Sequence, residues 1–355
     1  LPLTHVANSE RRMNSKIATV LMLGMLAGPL SAAEKLTVVS FGGNNRQAQE
    51  KAFYKPFTSE KKVAITADDY NGEMAKIRVM ADTGKTSWDV VEVESPELLR
   101  GCSEGLFEPL DWSRIGKKED FIPAAVSDCG VGIFIWSTVL TYDPKKLASA
   151  PQGWADFWDV KKFPGKRGLR RGAKFTLEFA LLADGVAKED VYTLLGTEEG
   201  VQRAFRKLDQ IKPDIQWWES GAQPLQWLAA GDVVMTSAYN GRVTSAQAEG
   251  QSFEMQWNGS LYDLDHWAIV KGSPKKALAE NFIAFASAPV QQKHFVEAIP
   301  YGPSNTKTVA LVDEAVGSKL PTSPDNLKNA RATDAEFWID HGEDLEERFI
   351  AWANK

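Results

Sequence analysis

Fourteen consecutive residues near the middle of the chain, GVGIFIWSTVLTYD from Gly130 to Asp143, carry a single charge, at the last position. The run has no helical periodicity and is more than twice the usual strand length of about 5–6 residues. Fully extended it would span roughly 45 Å, more than one small sheet accommodates. A chain with such a segment is expected to use it to pass from one lobe into another.

Strand and helix patterns alternate before this crossing. LTVVSF reads as a strand and is followed by GGNN and the amphipathic run RQAQEKAFYKPFTSE. VAITADDY is a second strand, NGEMAKIRVMADTG a helix, and WDVVEVE a third strand ending at Ser95 and Pro96. Strands separated by helices of this length pair in parallel, because a parallel crossover needs a long connection. After DPKKL a second group begins, with helices expected around Phe175–Ala183, Glu198–Ile211 and Pro224–Ala230, and DVVMTSAY as a strand. HWAIVKG and the helix ALAENFIAFASAP resume the first style, and YGPSN at Tyr301–Asn305 marks another turning point. The predicted fold is α/β with two lobes, each a mixed, mostly parallel sheet flanked by helices. Residues 34–139 with 266–303 make the first lobe, and 140–265 with 304–355 the second. Ligands of open parallel sheets lie beyond the carboxyl ends of strands. That rule nominates Phe41–Asn45, Glu94–Pro96, Tyr239–Arg242 and the crossing near Asp265.

The amino-terminal segment reads differently. From Met13 a basic head with Lys16 precedes IATVLMLGMLAGPL and then SAA, the pattern of a secretory signal ending at Ala33. Leu1–Arg12 lack that character and read as upstream of the true start. Removing residues 1–33 takes away three positive charges and one negative, a net loss of two, so −6 becomes −8. An acidic exported chain without a basic block is expected to bind neither nucleic acid nor an anionic membrane surface. The roughly 320 remaining residues exceed one comfortable core, which again favours two lobes. The two cysteines, Cys102 and Cys129, are free to oxidise in an exported chain. Bonded, they would close a loop of roughly 27 residues and stabilise the fold by about 3 kcal/mol; unbonded, they would be two small buried thiols.

Signatures of catalysis are missing. The sequence has no GxSxG, phosphate-binding loop, HExxH or CxxC, and its four histidines are scattered. No catalytic residue, metal site or cofactor is expected.

The stretch LYDLDHWAIV, Leu261–Val270, then demands explanation, because Asp263 and Asp265 stand two apart at the front of an apolar strand. Period two puts both on one face. They could form a solvated edge, a metal site, an acid/base pair of an exported hydrolase or a seat for a cation.

Several stretches together resemble the periplasmic solute-binding proteins that feed polyamine-class ABC importers. They are VVSFGGNNRQAQEKAFYKPF, WDVVEVESPELLRGCSEGLFEPLD, IWSTVLTYDPKKL, MTSAYNGR and LYDLDHWAIVKGSPKKALAENFIAFASAP. The resemblance covers nearly the whole chain after residue 33, and its specificity lies in the order and spacing of these strings. It implies a type II-like periplasmic fold closing on a small ligand, a monomer in the periplasm, and an inner-membrane permease as partner. An aspartate matching Asp265 holds an ammonium in such proteins, and Trp136, Tyr239 and Phe41 match aromatic positions of the cleft. Physically, a carboxylate with aromatic faces holds an ammonium well, cation–π attraction adding about 0.5 to 2 kcal/mol.

The polyamine pattern is broken in two places. Acids that would hold distal amines are replaced by Arg170, Arg171 and Lys174, while the remaining Glu178 is expected to turn away on its helix. Arg242 follows Tyr239-Asn240-Gly241 at the end of a strand, where a guanidinium can grip a carboxylate. One negative and one positive seat select an ω-amino acid over a diamine. The resemblance is accordingly strongest to γ-aminobutyrate-binding members, which implies Arg242 for the carboxylate and Asp265 for the amine. Ser95, Gly42 and Gly43 are candidate hydroxyl or backbone contacts, and Asp263 a further candidate. Glu94 either accepts from the ligand or merely ends its strand. The alternative readings are that Asp265 caps the crossover or pairs with Lys271, and that Arg242 is solvated. Putrescine or spermidine is the alternative ligand within the family, and one of Trp217 and Trp218 is expected to reach the cleft.

Overall fold

The computed structural model describes residues 34–355. The expected signal peptide, Met13–Ala33, lies outside the described residues. Ten strands form one continuous curled sheet: β1 (Lys35–Ser40), β2 (Ala64–Asp69), β3 (Val90–Glu94), β4 (Gly130–Tyr142), β5 (Arg167–Arg170), β6 (Ile215–Trp218), β7 (Met235–Tyr239), β8 (Glu254–Ile269), β9 (Gly302–Pro303) and β10 (Arg331–Ala332). The order is β2-β1-β3-β8-β4-β7-β5-β6, with β9 on β4 and β10 on β8.

Two long strands explain the two lobes. β4 runs 13 residues and is buried throughout, and it pairs antiparallel with the 16-residue β8. β3 joins this ribbon at Asp265–Ile269 of β8, whereas β7 joins at Thr138–Tyr142 of β4. The ribbon therefore belongs to one sheet at one end and to another at the other end. Its register slips between Gly132 and Phe134 and again between Thr138 and Leu140, which lets it turn between the lobes.

The sheet is mixed, as expected: β1/β2, β1/β3, β5/β6, β5/β7 and β8/β10 are parallel, and β3/β8, β4/β8, β4/β7 and β4/β9 antiparallel. A strand that returns across the ribbon has to meet its neighbour running the opposite way. One expectation is corrected: Asp263 and Asp265 stand in the middle of their strand rather than at its front. The preceding EMQWNGS alternates only as far as Trp257 and then contains Asn258-Gly259, a turn signal, yet Glu254–Gln256 pair with Leu140–Tyr142. Gly259, at φ 74°, sits in the residues bulged out between the two paired stretches.

Helices cover the sheets where the apolar periodicity places them. Ile77 and Met80 of the helix Met74–Thr83 and Leu98 of the helix Ser95–Ser103 pack with Val39, Val91 and Val93. Cys102 and Cys129 are disulfide-bonded with Cα atoms 6.0 Å apart, tying the helix after β3 to the start of β4. In the second lobe Glu178 faces inward against the carboxyl-terminal helix Ala335–Ala353, where it accepts from Trp338 Nε1 (2.9 Å) and Tyr192 Oη (3.2 Å). It is turned from the cleft, as its helical spacing predicts. Trp217 packs edge-on against Phe349, and Trp218 donates to Ser237 Oγ at 3.1 Å.

Candidate functional site

A cavity with about 500 Å³ of unfilled space, partly open to solvent, lies where β3, β7 and the ribbon converge. Phe41, Asn45, Asn71 and Glu94 line it from the first lobe. Phe134, Trp136 and Asp265 line it from the ribbon, and Tyr301 from the crossing near β9. Arg170, Glu219, Gly221, Tyr239 and Arg242 close it from the second lobe.

Strand register dictates its electrostatics. Glu94 of β3 pairs directly with Asp265 of β8, and residues directly opposite share a face. Period two then places Glu92, Glu94, Asp263 and Asp265 on that same face. All four are buried, between 0% and 7% exposed. Four carboxylates so close cannot all be ionised without compensation, and the protein supplies it unevenly.

Glu92 is surrounded by amides. Its carboxylate accepts from Asn45 Nδ2 (2.8 and 3.1 Å), Gln49 Nε2 (2.8 Å) and the Phe41 N–H (3.2 Å). Burial nevertheless raises its pKa. Glu94 receives the ammonium of Lys174, with Arg170 Nη1 3.9 Å away. Burial opposes its ionisation, but Lys174 and then Arg170 outweigh it and hold the carboxyl below its ordinary range. Asp263 Oδ1 accepts the Leu264 N–H at 2.7 Å, while its Oδ2 lies 3.9 Å from Lys174 Nζ without a hydrogen bond. Burial pushes Asp263 up to about 7.

Asp265 is treated differently. Its Oδ1 accepts the indole N–H of Trp136 at 2.6 Å, and it forms no ion pair among the described residues. Burial, then the charge of Glu92, drives its pKa well above the usual carboxylate range. An acid in that state has strong demand for a cation, and the cavity is where one would arrive. Lys271, a conceivable internal partner, is engaged by Glu108 at 3.3 Å.

Arg242 supplies the opposite charge. It sits in the first turn of the helix Asn240–Ala248 and is 7% exposed, so it is not a solvated surface arginine. Its Nη2 reaches across to the carbonyls of Phe41 (3.4 Å) and Gly42 (3.3 Å), and its buried Nε has no hydrogen-bond partner. Glycine makes the approach possible: a Cβ at Gly43 would overlap Nη1, and one at Gly221 would lie 2.8 Å from Nε. Between the two charges stand aromatic walls. Trp136 meets Tyr239 edge-on at 5.1 Å, and Phe134 stacks on Tyr301 at 4.7 Å.

Of the residues nominated from sequence, Phe41, Glu94, Trp136, Tyr239, Arg242 and Asp265 meet around one cavity. Gly42 and Gly43 stand behind Arg242, serving it rather than facing the open space. Ser95 does not line the cavity; its Oγ is directed at the Leu264 carbonyl, 3.4 Å away. Asp263 lies behind it as well, beside Lys174. Neither Trp217 nor Trp218 lines it. Sequence reasoning missed Glu92 and, of the lining residues, Asn71, Phe134, Glu219, Gly221 and Tyr301. The alternation of acids in WDVVEVE was a readable signal for Glu92, because it repeats the two-residue spacing of Asp263 and Asp265.

Comparison with known proteins matches residues 52–322 to the family described as bacterial extracellular solute-binding protein. Over 331 residues the chain is 62% identical to the gamma-aminobutyric acid-binding protein of Pseudomonas aeruginosa, covering 93% of this chain and 94% of that one. Among solved structures, a GABA receptor superposes with a TM-score of 0.81 at 32% identity, over 90% of this chain and 98% of the other. AgtB of A. tumefaciens R10, in complex with agropinic acid, superposes with a TM-score of 0.84 at 29% identity, over 91% and 100%.

Proposed function

The chain belongs to the bacterial extracellular solute-binding protein family, and on that footing we propose that its cleft captures γ-aminobutyrate for an ABC importer. One observation carries the reading: of four buried acids on one sheet face, Asp265 alone lines the cavity without a protein cation, and Arg242 faces the same space with a donor unspent. The ligand ammonium takes the Asp265 carboxylate, and the ligand carboxylate takes Arg242. Trp136, Tyr239 and Phe41 cover the methylenes between them. Each charged hydrogen bond is worth about 1.5–3 kcal/mol in such a site. The identity to the P. aeruginosa protein and the likeness to the GABA receptor support the same ligand.

Capture requires the lobes to close. We divide the chain into residues 34–139 with 266–303 and residues 140–265 with 304–355, hinged where β4 and β8 cross. Closure brings Arg242 against the carbonyls of Phe41 and Gly42 and buries the ligand, and the permease reads the closed form. We read the protein as a periplasmic receptor and not as a hydrolase working through Asp263 and Asp265, because Asp263 is sequestered behind the cavity beside Lys174.

A polyamine is the second reading within the family. Arg242 and Arg170 both line the cavity and would repel a second ammonium. Calorimetric titration with γ-aminobutyrate, putrescine, spermidine and glutamate separates the two. γ-Aminobutyrate is expected to bind tightest, and tighter binding of spermidine would overturn the assignment.

A further inference from the structure

We propose that Lys174 is a specificity determinant: its ammonium is a tethered cation that fills the acidic seat a diamine's second amine would otherwise take. The inference rests on Asp265 as the amine seat of the proposed function.

Lys174 comes from the second lobe and ends among acids of the first lobe and the ribbon. It contacts Glu94 and lies 3.8 Å from Glu97 and 3.9 Å from Asp263. The side chain is 15% exposed, whereas lysines that merely solvate a surface stand free of such a cluster. Glu94 lines the ligand cavity and is the direct register partner of Asp265. Two carboxylates are thus side by side on one sheet face, one taken by the protein's own ammonium and the other left for a ligand. Asp263 Oδ2, buried behind them, has no hydrogen-bond partner, so this acidic region holds more acceptor capacity than the protein satisfies.

The backbone that carries Lys174 is also unusual. The next residue, Phe175, has φ 72°, a left-handed conformation that is an outlier for a bulky side chain. Strain of this kind persists only where surrounding contacts over-determine it, and it clusters at functional sites. Those contacts are present: the Phe175 ring meets Trp136 edge-on at 5.6 Å, and Lys174 and Arg170 lie over the same ring at 5.4 and 5.6 Å. The loop is pinned to the cleft wall with its ammonium aimed at Glu94. Arg170, 3.9 Å from Glu94, reinforces the positive charge from the cavity side.

Without Lys174, Glu94 would face the cleft next to Asp265 with only Arg170 nearby, and a short diamine could bridge Asp265 and Glu94. Lys174→Met and Lys174→Arg are therefore titrated with putrescine and γ-aminobutyrate beside the wild type. Lys174→Met is expected to bind putrescine at least tenfold tighter than wild type does, and Lys174→Arg to keep the exclusion. Adding Glu94→Gln to Lys174→Met should remove the gain. A folded Lys174→Met protein that binds γ-aminobutyrate but shows no gain for putrescine overturns the inference. Should Lys174→Met unfold by circular dichroism, refolding by putrescine and not by sodium chloride supports the proposal, and failure of putrescine to refold it contradicts it. If wild type fails to bind γ-aminobutyrate, the amino-acid reading itself fails, a result distinct from any of these.

Discussion

Trp136 donates its indole N–H to Asp265 Oδ1 at 2.6 Å, across neighbouring strands of the ribbon that joins the lobes. The bond fixes the orientation of the carboxyl that lacks a protein cation, and it places an aromatic face beside the seat we propose for the ligand ammonium. Positioning and hydrophobic cover thus come from one side chain.

Removing only the donor separates these roles. Trp136→Phe keeps an aromatic wall and loses the N–H, so Asp265 is less well held. Affinity for γ-aminobutyrate is expected to fall about tenfold, in line with a charge-assisted hydrogen bond. The measurement is calorimetric titration, with thermal melting to establish that the variant remains folded.

The raised pKa of Asp265 makes binding proton-linked. Burial and the charge of Glu92 favour its neutral form in the free protein, whereas a bound ammonium favours the carboxylate. Binding therefore releases a proton between the pKa of the complex and that of the free protein. Affinity climbs with pH across that window, by up to about tenfold per unit for one proton. Stability of the free protein runs the other way: a carboxyl raised in the folded state contributes fully below its unfolded value, near 4, and loses that contribution as pH rises through the folded value. Titration in buffers of different ionisation heat counts the protons. Asp265→Asn should abolish both the release and the pH slope in stability attributable to this residue.

Gly43 tests the closed geometry around Arg242. Its φ is 58°, and a Cβ would overlap Arg242 Nη1. Gly43→Ala must displace the flexible end of the arginine and accept a left-handed backbone, which costs about 1–2 kcal/mol. The variant is expected to fold and to bind γ-aminobutyrate at least tenfold more weakly. Unchanged affinity would mean that Arg242 does not need this approach to hold its ligand.

Much of this arrangement was legible from residues alone. The length of Gly130–Asp143, more than twice that of a usual strand, marked a segment that reaches past one lobe, and Gly130–Tyr142 of it form β4, paired with β9 towards one end and β7 at the other. Arg242 could be singled out because it follows a strand end at a helix start. What stayed hidden depends on pairing between distant segments. That Asp265 faces Glu94 while Asp263 lies near Lys174 follows from the register of β3, β4 and β8, which no local pattern specifies. Glu254–Ser260 carries an Asn-Gly turn signal against a short alternation, and only the backbone pairing of Glu254–Gln256 with β4 makes it strand. Ser95 looked like a cleft hydroxyl at a strand's carboxyl end, but it begins the helix Ser95–Ser103 and turns to the Leu264 carbonyl.

In the proposed mode of capture both ends of the ligand are read by charge. A calorimetric cycle separates the two ends: wild type and Arg242→Met are each titrated with γ-aminobutyrate and with n-butylamine, which lacks the carboxylate. Wild type should prefer γ-aminobutyrate by about a hundredfold, some 2.7 kcal/mol, and Arg242→Met should erase that preference while still binding the amine. An undiminished preference in Arg242→Met would mean that Arg242 does not hold the ligand carboxylate.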